Sequence, residues 1–237
     1  MEINSIYQLF LKCRGVSTDS RKLESGNLYV SLKGPNFNGN SFAKEALDKG
    51  ASYAIVDEKE YAINDHYILV NDCLETLQEL ATHHRRNSKA KILALTGSNG
   101  KTTSKELIYS VLKSKLNTIA TTGNLNNHIG VPLTLLSIQA ETQIAIVEMG
   151  ANHLREIEML CNIAEPDYGY ITNFGKAHLE GFKNLEGVIK GKSELYHYLI
   201  ENKGDVLINS NDKIQINQSK KCKQKSFGTI NLSLIHI

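Results

Sequence analysis

From residue 91 the chain repeats one pattern, a short and mostly apolar run followed by a longer segment whose apolar positions recur at helical spacing. The runs are KILALT, NTIAT, QIAIVEM, YGYITN and DVLINS, and the spacing predicts helices around residues 102–115, 132–138, 152–163 and 186–202. Several of the runs are apolar almost throughout, as expected of strands in a parallel sheet covered by helices on both faces. The polar, lysine-rich stretch at residues 213–226 reads as surface structure rather than as a binding arm.

The N-terminal part carries its own strand–helix–strand unit: NLYVSL, then SFAKEALDK, then SYAIVD. Ser41 fits a helix N-cap and Gly50 the residue just past the helix end. A further helix is predicted to start at Asp72, with Glu75 three residues on as in a capping box, and Leu74, Leu77, Leu80 and Ala81 form its apolar stripe. HHRRNSKAK, residues 83–91, is polar and reads as a join between domains. Its His83–His84–Arg85–Arg86 cluster reads as a solvated helix end, where cations are favoured, in preference to a basic binding site. The expected class is therefore α/β in two parts, residues 1–86 and residues 91–237.

Composition narrows the function. The chain has 237 residues, 41% hydrophobic and 22% charged, with a formal net charge of +2. It lacks the concentrated basic face of a nucleic-acid binder, and no apolar run is long enough to span a bilayer. The opening MEINSIYQLFLK, with acidic Glu2 and no small-residue cleavage site, does not read as a secretory signal. Cys13, Cys73, Cys161 and Cys222 are widely spaced, which fits reduced thiols in a cytoplasmic protein better than zinc or a disulfide framework.

Ligands of open α/β sheets bind beyond the carboxyl ends of the strands, and the unusual residues of this chain fall there. TGSNGKTT follows KILAL; Glu148 closes QIAIVE; NFGKAHLEGF follows YGYIT; Asn209 and Asp212 follow DVLI. The common phosphate loop G-x-x-x-x-G-K-[ST] would need glycine at position 95, where this chain has Leu95. Gly97 and Gly100 still allow a sharp turn whose N–H groups, with the following helix terminus, make an anion cradle. Lys101 would then meet the β- and γ-phosphates and the Thr102 hydroxyl a Mg²⁺ ion. The alternative is a tight turn with an exposed lysine. Glu148 ends an apolar strand, where a carboxylate is costly unless paired or metal-bound. It reads as a hard-cation ligand, or else as half of a salt bridge. His178 alone reads as a solvated loop histidine, and Lys192 alone as an exposed helical lysine.

These segments together, TGSNGKTT, GNLNNHIGVP, VEMGANH, NFGKAHLEGF and GKSELY, resemble the ordered motifs of the Mur ligases, ATP-dependent amide-forming enzymes of peptidoglycan precursor synthesis. STDSRKLESGNLYVSLKGPNFNGNSFAKEALDKGA resembles that family's UDP-binding domain, and the likeness runs over about residues 15–212. GNLNNHIGVPLTLL and AHLEGF are most similar to the branch that joins D-alanyl-D-alanine to UDP-N-acetylmuramoyl-tripeptide. The resemblance implies a small UDP-binding domain followed by a mostly parallel-sheet, P-loop ATPase-type central domain. It implies ATP binding by Gly97, Ser98, Asn99, Gly100, Lys101, Thr102 and Thr103, with Asn209 and Asp212 near adenine and ribose. Thr102 and Glu148 would serve one Mg²⁺; His178 and a carbamylated Lys192 would serve a second. Asn126 and Asn127 match the family's substrate loop, while Ser20, Arg21, Lys33 and Asn38 fall in the uridine-nucleotide part. A cytoplasmic monomer acting on small molecules is the expectation.

Two departures stand out. Leu154–Arg155 replaces the glutamine and glycine that commonly follow GANH, which could alter the helix start near Glu148. NLSLIHI does not resemble the family's continuation, so the central domain is expected to be incomplete and the C-terminal ligase domain absent. A fragment that binds the UDP-linked substrate or nucleotide without turnover is the alternative to a ligase.

Overall fold

The computed structural model describes residues 2–175 and 179–228. The chain divides into two compact units, residues 1–88 with 128–140, and residues 89–127 with 141–237.

The first unit opens with α1 (Ile3–Phe10), followed by β1 (Gly15–Ser17) and β2 (Asn27–Val30). A two-stranded hairpin, β3 (Lys33–Gly34) and β4 (Phe37–Asn38), leads through a 3₁₀ turn (Gly39–Phe42) into α2 (Ala43–Asp48). Next come β5 (Tyr53–Val56), β6 (Tyr67–Leu69) and α3 (Cys73–Asn87). The main sheet is parallel throughout, in the order β1-β2-β5-β6. Its core contains Tyr29, Ala43, Ala46, Ala54 and Val56. Gly50 has φ +101°, as its place after a helix requires. Ser41 does not cap α2: Asn38 accepts the N–H of Asn40 instead, and the Ser41 hydroxyl donates to the Asn38 carbonyl at 2.8 Å. Asp72 does cap α3, accepting the N–H of Glu75 at 2.8 Å.

The second unit begins with β7 (Lys91–Thr96), α4 (Lys101–Leu112) and β8 (Thr118–Ala120). The segment that follows contains α5 (Gly130–Leu136), which packs on α3 and belongs to the first unit, burying Val131, Leu135 and Leu136. The strand–helix alternation groups this segment with residues 91–237; apolar burial groups it with residues 1–88. The second unit continues with β9 (Ile144–Glu148), α6 (Glu156–Ala164), β10 (Tyr168–Ile171), α7 (Leu179–Phe182), α8 (Leu185–Glu201), β11 (Asp205–Asn209), α9 (Lys213–Gln218) and β12 (Lys223–Phe227). Its sheet is parallel, in the order β12-β11-β10-β7-β9-β8. The chain leaves β7 toward β9 on one side and returns to β10 on the other. The carboxyl end of β7 is thus a topological switch point, the place where such sheets bind ligands. The lysine-rich stretch resolves into α9 and the exposed edge strand β12.

Candidate active site

The loop after β7 is shaped by two glycines. Gly97 has φ +146°, and a Cβ there would lie 1.9 Å from the Thr172 hydroxyl oxygen. Gly100 adopts the left-handed conformation at φ +73° and forms the N-cap of α4. Lys101 opens the helix, and its Nζ donates back to the Gly97 carbonyl at 2.9 Å. Burial lowers the pKa of this ammonium, and nearby Glu148 partly opposes the shift. Ser98 is buried and its hydroxyl donates to the Gly175 carbonyl at 2.8 Å.

Glu148 faces the mouth of this loop because β9 pairs with β7 so that Leu95 lies opposite Glu148. The side chain is 1% exposed. Thr102 Oγ1 donates to Oε2 and Asn126 Nδ2 to Oε1, each at 3.0 Å, and the backbone N–H of Glu148 donates to Thr121 Oγ1 at 2.9 Å. Among the described residues no cationic side chain lies within ion-pair distance. A buried carboxylate solvated only by neutral donors fits a site for a hard cation. The Thr102 hydroxyl, its proton turned to Glu148, keeps its lone pairs for such an ion. Among the described residues no three His, Cys, Asp or Glu side chains converge on one point, so most of the oxygens around a cation here would come from phosphate and water.

Lys192 lies on α8 and is 1% exposed, so the surface position suggested by its sequence context is corrected. Its Nζ donates to the Ala151 carbonyl at 3.3 Å and sits 5.4 Å from the Phe182 ring centroid. Burial, then repulsion by Lys101, lowers its pKa to about 8. The lowered pKa raises the fraction of neutral amine, the form that adds to CO₂. The Ala151 carbonyl belongs to a loop braced at two points. Glu156 accepts the N–H groups of Asn152 and His153 at 2.6 and 3.1 Å, while Glu194 of α8 accepts those of Arg155 and Glu158 at 2.7 and 3.0 Å. Arg155 stands at φ +70°, so α6 starts at Glu156 rather than near residue 152. Glu148 keeps its place at the end of β9.

The second unit brings Lys101, Thr102, Glu148, Asn126 and Lys192 toward one strand-end region. His178 lies outside the described residues. Thr103 is exposed on the first turn of α4. Asn126 aims its carboxamide at Glu148, and Asn127 is its chain neighbour. Asp212 caps α9 by accepting from Ile214 and Gln215, and Asn209 Oδ1 accepts the N–H of Asn211. In the first unit Arg21 pairs with Asp19, whose pKa falls to about 2 chiefly through the hydrogen bonds from Arg21. Lys33 pairs with Asp57 at 3.0 Å, and Asn38 donates to Glu58. Ser20 is buried, its carbonyl accepting from Lys49. Sequence reasoning missed Thr121, Glu194 and the Thr172–Asn173 pair. Thr121 and Thr172 are polar residues at or just past strand carboxyl ends, a signal that was open to reading; Glu194 gave none.

Comparison with known proteins points to one family. Residues 95–235 match the model of the Mur ligase middle domain, and residues 12–85 that of the Mur ligase family catalytic domain. The chain is 39% identical over 217 residues to the UDP-N-acetylmuramoyl-tripeptide–D-alanyl-D-alanine ligase of Bacillus subtilis (strain 168), covering 91% of this chain and 47% of that protein. The Escherichia coli (strain K12) ligase of the same description is 41% identical over 202 residues, with 85% and 44% covered. The MurF ligase of Thermotoga maritima, solved in complex with ADP, superposes with a TM-score of 0.81 at 31% identity over 92% of this chain and 51% of that one. The chain thus spans about half the length of the curated relatives it matches.

Proposed function

The chain belongs to the Mur ligase family, and on that footing we propose that it carries the UDP-substrate and ATP-binding parts of a ligase joining D-alanyl-D-alanine to UDP-N-acetylmuramoyl-tripeptide. The observation that carries this reading is the buried Glu148 carboxylate, held by neutral Thr102 and Asn126 at the mouth of a glycine loop. Such a carboxylate is suited to a divalent cation shared with nucleotide phosphates.

The reaction proceeds in two steps. A carboxylate oxygen of the muramoyl-peptide attacks the γ-phosphorus of ATP, forming an acyl phosphate as the bond to ADP breaks. The dipeptide amine then attacks the acyl carbon, inorganic phosphate leaves with the bonding pair, and the amine loses a proton to solvent. Catalysis of this kind is mainly positioning and charge neutralisation. Lys101 exchanges the Gly97 carbonyl for the β- and γ-phosphate oxygens. Gly97 to Thr103 supply the loop and helix N–H groups that hold the phosphates. Thr102 and Glu148 would hold one Mg²⁺, and His178 with a carbamylated Lys192 a second. Bound there, Mg²⁺ would supply Lewis-acid neutralisation of the phosphate charge. The neutral Lys192 amine adds to CO₂, forming an N–C bond and releasing a proton, which replaces a buried cation by an anionic oxygen ligand. Asn209 and Asp212 lie on the adenosine side. Asn127 and the 123–127 loop face the muramoyl-peptide, and Ser20, Arg21, Lys33 and Asn38 belong to the uridine-nucleotide region. On this reading the protein works in the cytoplasm as a monomer.

Orthophosphate release by the 237-residue chain, with each of the three substrates omitted in turn, tests the reading. Release that requires all three supports a ligase. Binding of ATP and UDP-muramoyl-tripeptide without release supports a second reading, a module that binds but does not turn over; the roughly half-length match to the relatives favours keeping it. Absence of both binding and release overturns both.

A further inference from the structure

The segment after β10 grips the phosphate loop. Thr172 extends the parallel ladder by donating its N–H to the Thr96 carbonyl at 2.9 Å. Its hydroxyl donates to the Asn99 carbonyl at 2.6 Å, and Asn173 Nδ2 donates to the same oxygen at 2.9 Å. Asn173 Oδ1 accepts the Asn99 N–H at 3.2 Å, while the Asn173 carbonyl accepts the N–H of Ser98 at 3.1 Å. One carboxamide thus reads the backbone of Asn99 through both its N–H and its C=O, as a neighbouring strand would.

The consequence lies one atom further on. A planar trans peptide points its C=O and N–H in opposite directions. With the Asn99 carbonyl held by two donors, the N–H of Gly100 points away from residues 172–173. Space is open beside Gly100, where a built Cβ meets nothing within 4 Å. Gly97 and Gly100 make this loop one whose peptides can flip at little steric cost, and a flipped 99–100 peptide would present an oxygen to an anion. We infer that Asn173, with Thr172, is a positioning residue of the phosphate loop, holding the 99–100 peptide so that the Gly100 N–H donates to a nucleotide phosphate. The inference rests on the phosphate-loop reading and adds a residue to it.

Calorimetric titration of ADP with Mg²⁺ into the 237-residue chain tests it, alongside hydrogen exchange at Gly100. Lys101→Ala serves as the control for the loop itself. Asn173→Ala is expected to weaken ADP about tenfold, the scale of one lost phosphate hydrogen bond, and to abolish the ADP-induced protection of the Gly100 amide. Thr172→Val should weaken ADP by a smaller factor, and Thr172→Ser should restore affinity, because a hydroxyl rather than a shape is required. The Val and Ser pair decides the matter if Asn173→Ala does not fold. Loss of affinity in Lys101→Ala with unchanged binding and protection in the Asn173 and Thr172 variants overturns this inference alone. Wild-type protein that binds no ADP, or a Lys101→Ala variant that binds as well as wild type, overturns the phosphate-loop reading and this inference with it.

Discussion

Asp57 in the first unit and the region of Glu148 and Lys192 in the second treat buried charge in opposite ways. In the first, Asp57 has a side chain 3% exposed and is matched from every direction: Lys33 Nζ at 3.0 Å, Asn40 Nδ2 at 2.8 Å and the N–H of Cys73 at 3.3 Å. Asn40, itself fully buried, is held in turn by Asn38 Oδ1 and by the N–H of Asp57. In the second unit, Glu148 and Lys192 are as deeply buried, yet their nearest polar partners are neutral. A network closed on itself stabilises a fold, because any lost member leaves a buried group unsatisfied. Charges left without counter-charges cost stability and persist where a ligand completes them. The contrast marks Glu148 and Lys192, without reference to any motif, as the buried charges that a ligand would complete under the proposed function.

The contrast makes Glu148→Gln the sharpest test. The substitution keeps the shape and removes the charge, so Mn²⁺ affinity in the presence of ADP should fall by at least about a hundredfold. Thermal stability without ligand should stay level or rise, because a desolvated carboxylate has been removed. Electron paramagnetic resonance of free Mn²⁺ and a melting curve read the two effects separately. A variant that melts well below wild type would make Glu148 a structural group like Asp57. Lys192→Ala should follow the same division. ATP-dependent turnover should drop by about a hundredfold or more and not return with bicarbonate. Partial rescue by a small carboxylate would mark the missing anionic oxygen, and failure of that rescue would count against the carbamate.

Much of this contrast was legible in the sequence, though not all of it for one reason. Glu148 could be read because a carboxylate ending an apolar strand is anomalous wherever the strand goes. Lys192 could be read only through the family resemblance, because its burial on α8 depends on Phe182 and Ala151, which come from other elements. Lysine within GKSELY is an unremarkable surface residue until those neighbours arrive. Five of the six strands of the second sheet match the apolar runs to within a residue or two, whereas the polar, exposed edge strand β12 carries no apolar signal and reads only as surface structure. The start of α6 was displaced by a tertiary cap from Glu194, which no local rule reports. The assignment of residues 128–140 failed similarly: a helix between two strands of one sheet is ordinarily assigned to that sheet, and only packing on α3 says otherwise.

Asp57→Ala tests the closed network. Lys33 is 45% exposed and can turn to water, so little of the loss comes from the ion pair itself. Buried Asn40 keeps Asn38 and the backbone N–H of residue 57 but loses the carboxylate, as does the N–H of Cys73, and the expected destabilisation is about 2 kcal/mol. Chemical denaturation monitored on the first unit measures it. A neutral or stabilising result would place Asp57 with Glu148 and erase the contrast.

His84 gives the smallest effect and a sign that can be worked out. The sequence reading left it solvated at a helix end; the structure instead tucks it against α1 and the end of α5. Its Nε2 lies 2.9 Å from the Ile138 carbonyl and so carries the proton, which leaves Nδ1 to accept from the Tyr7 hydroxyl at 3.3 Å. Phe10 packs edge-on against the ring, and His83 lies beside it in the chain. Burial lowers the His84 pKa below its usual 6.5, and the adjacent His83 lowers it further, opposed by the hydrogen bond to Ile138. Between the lowered folded value and the unfolded value, the unfolded chain binds more protons, so stability falls as the pH drops through and below about 6.5. Protonation would put a proton on Nδ1, so the Tyr7 hydroxyl would have to turn from donating to accepting there. Melting temperatures taken from pH 7.5 down to pH 5 should decline in the wild type, and the decline should be shallower in His84→Gln, which cannot titrate. Parallel slopes in the two proteins would show that some other group carries the acid sensitivity of the first unit.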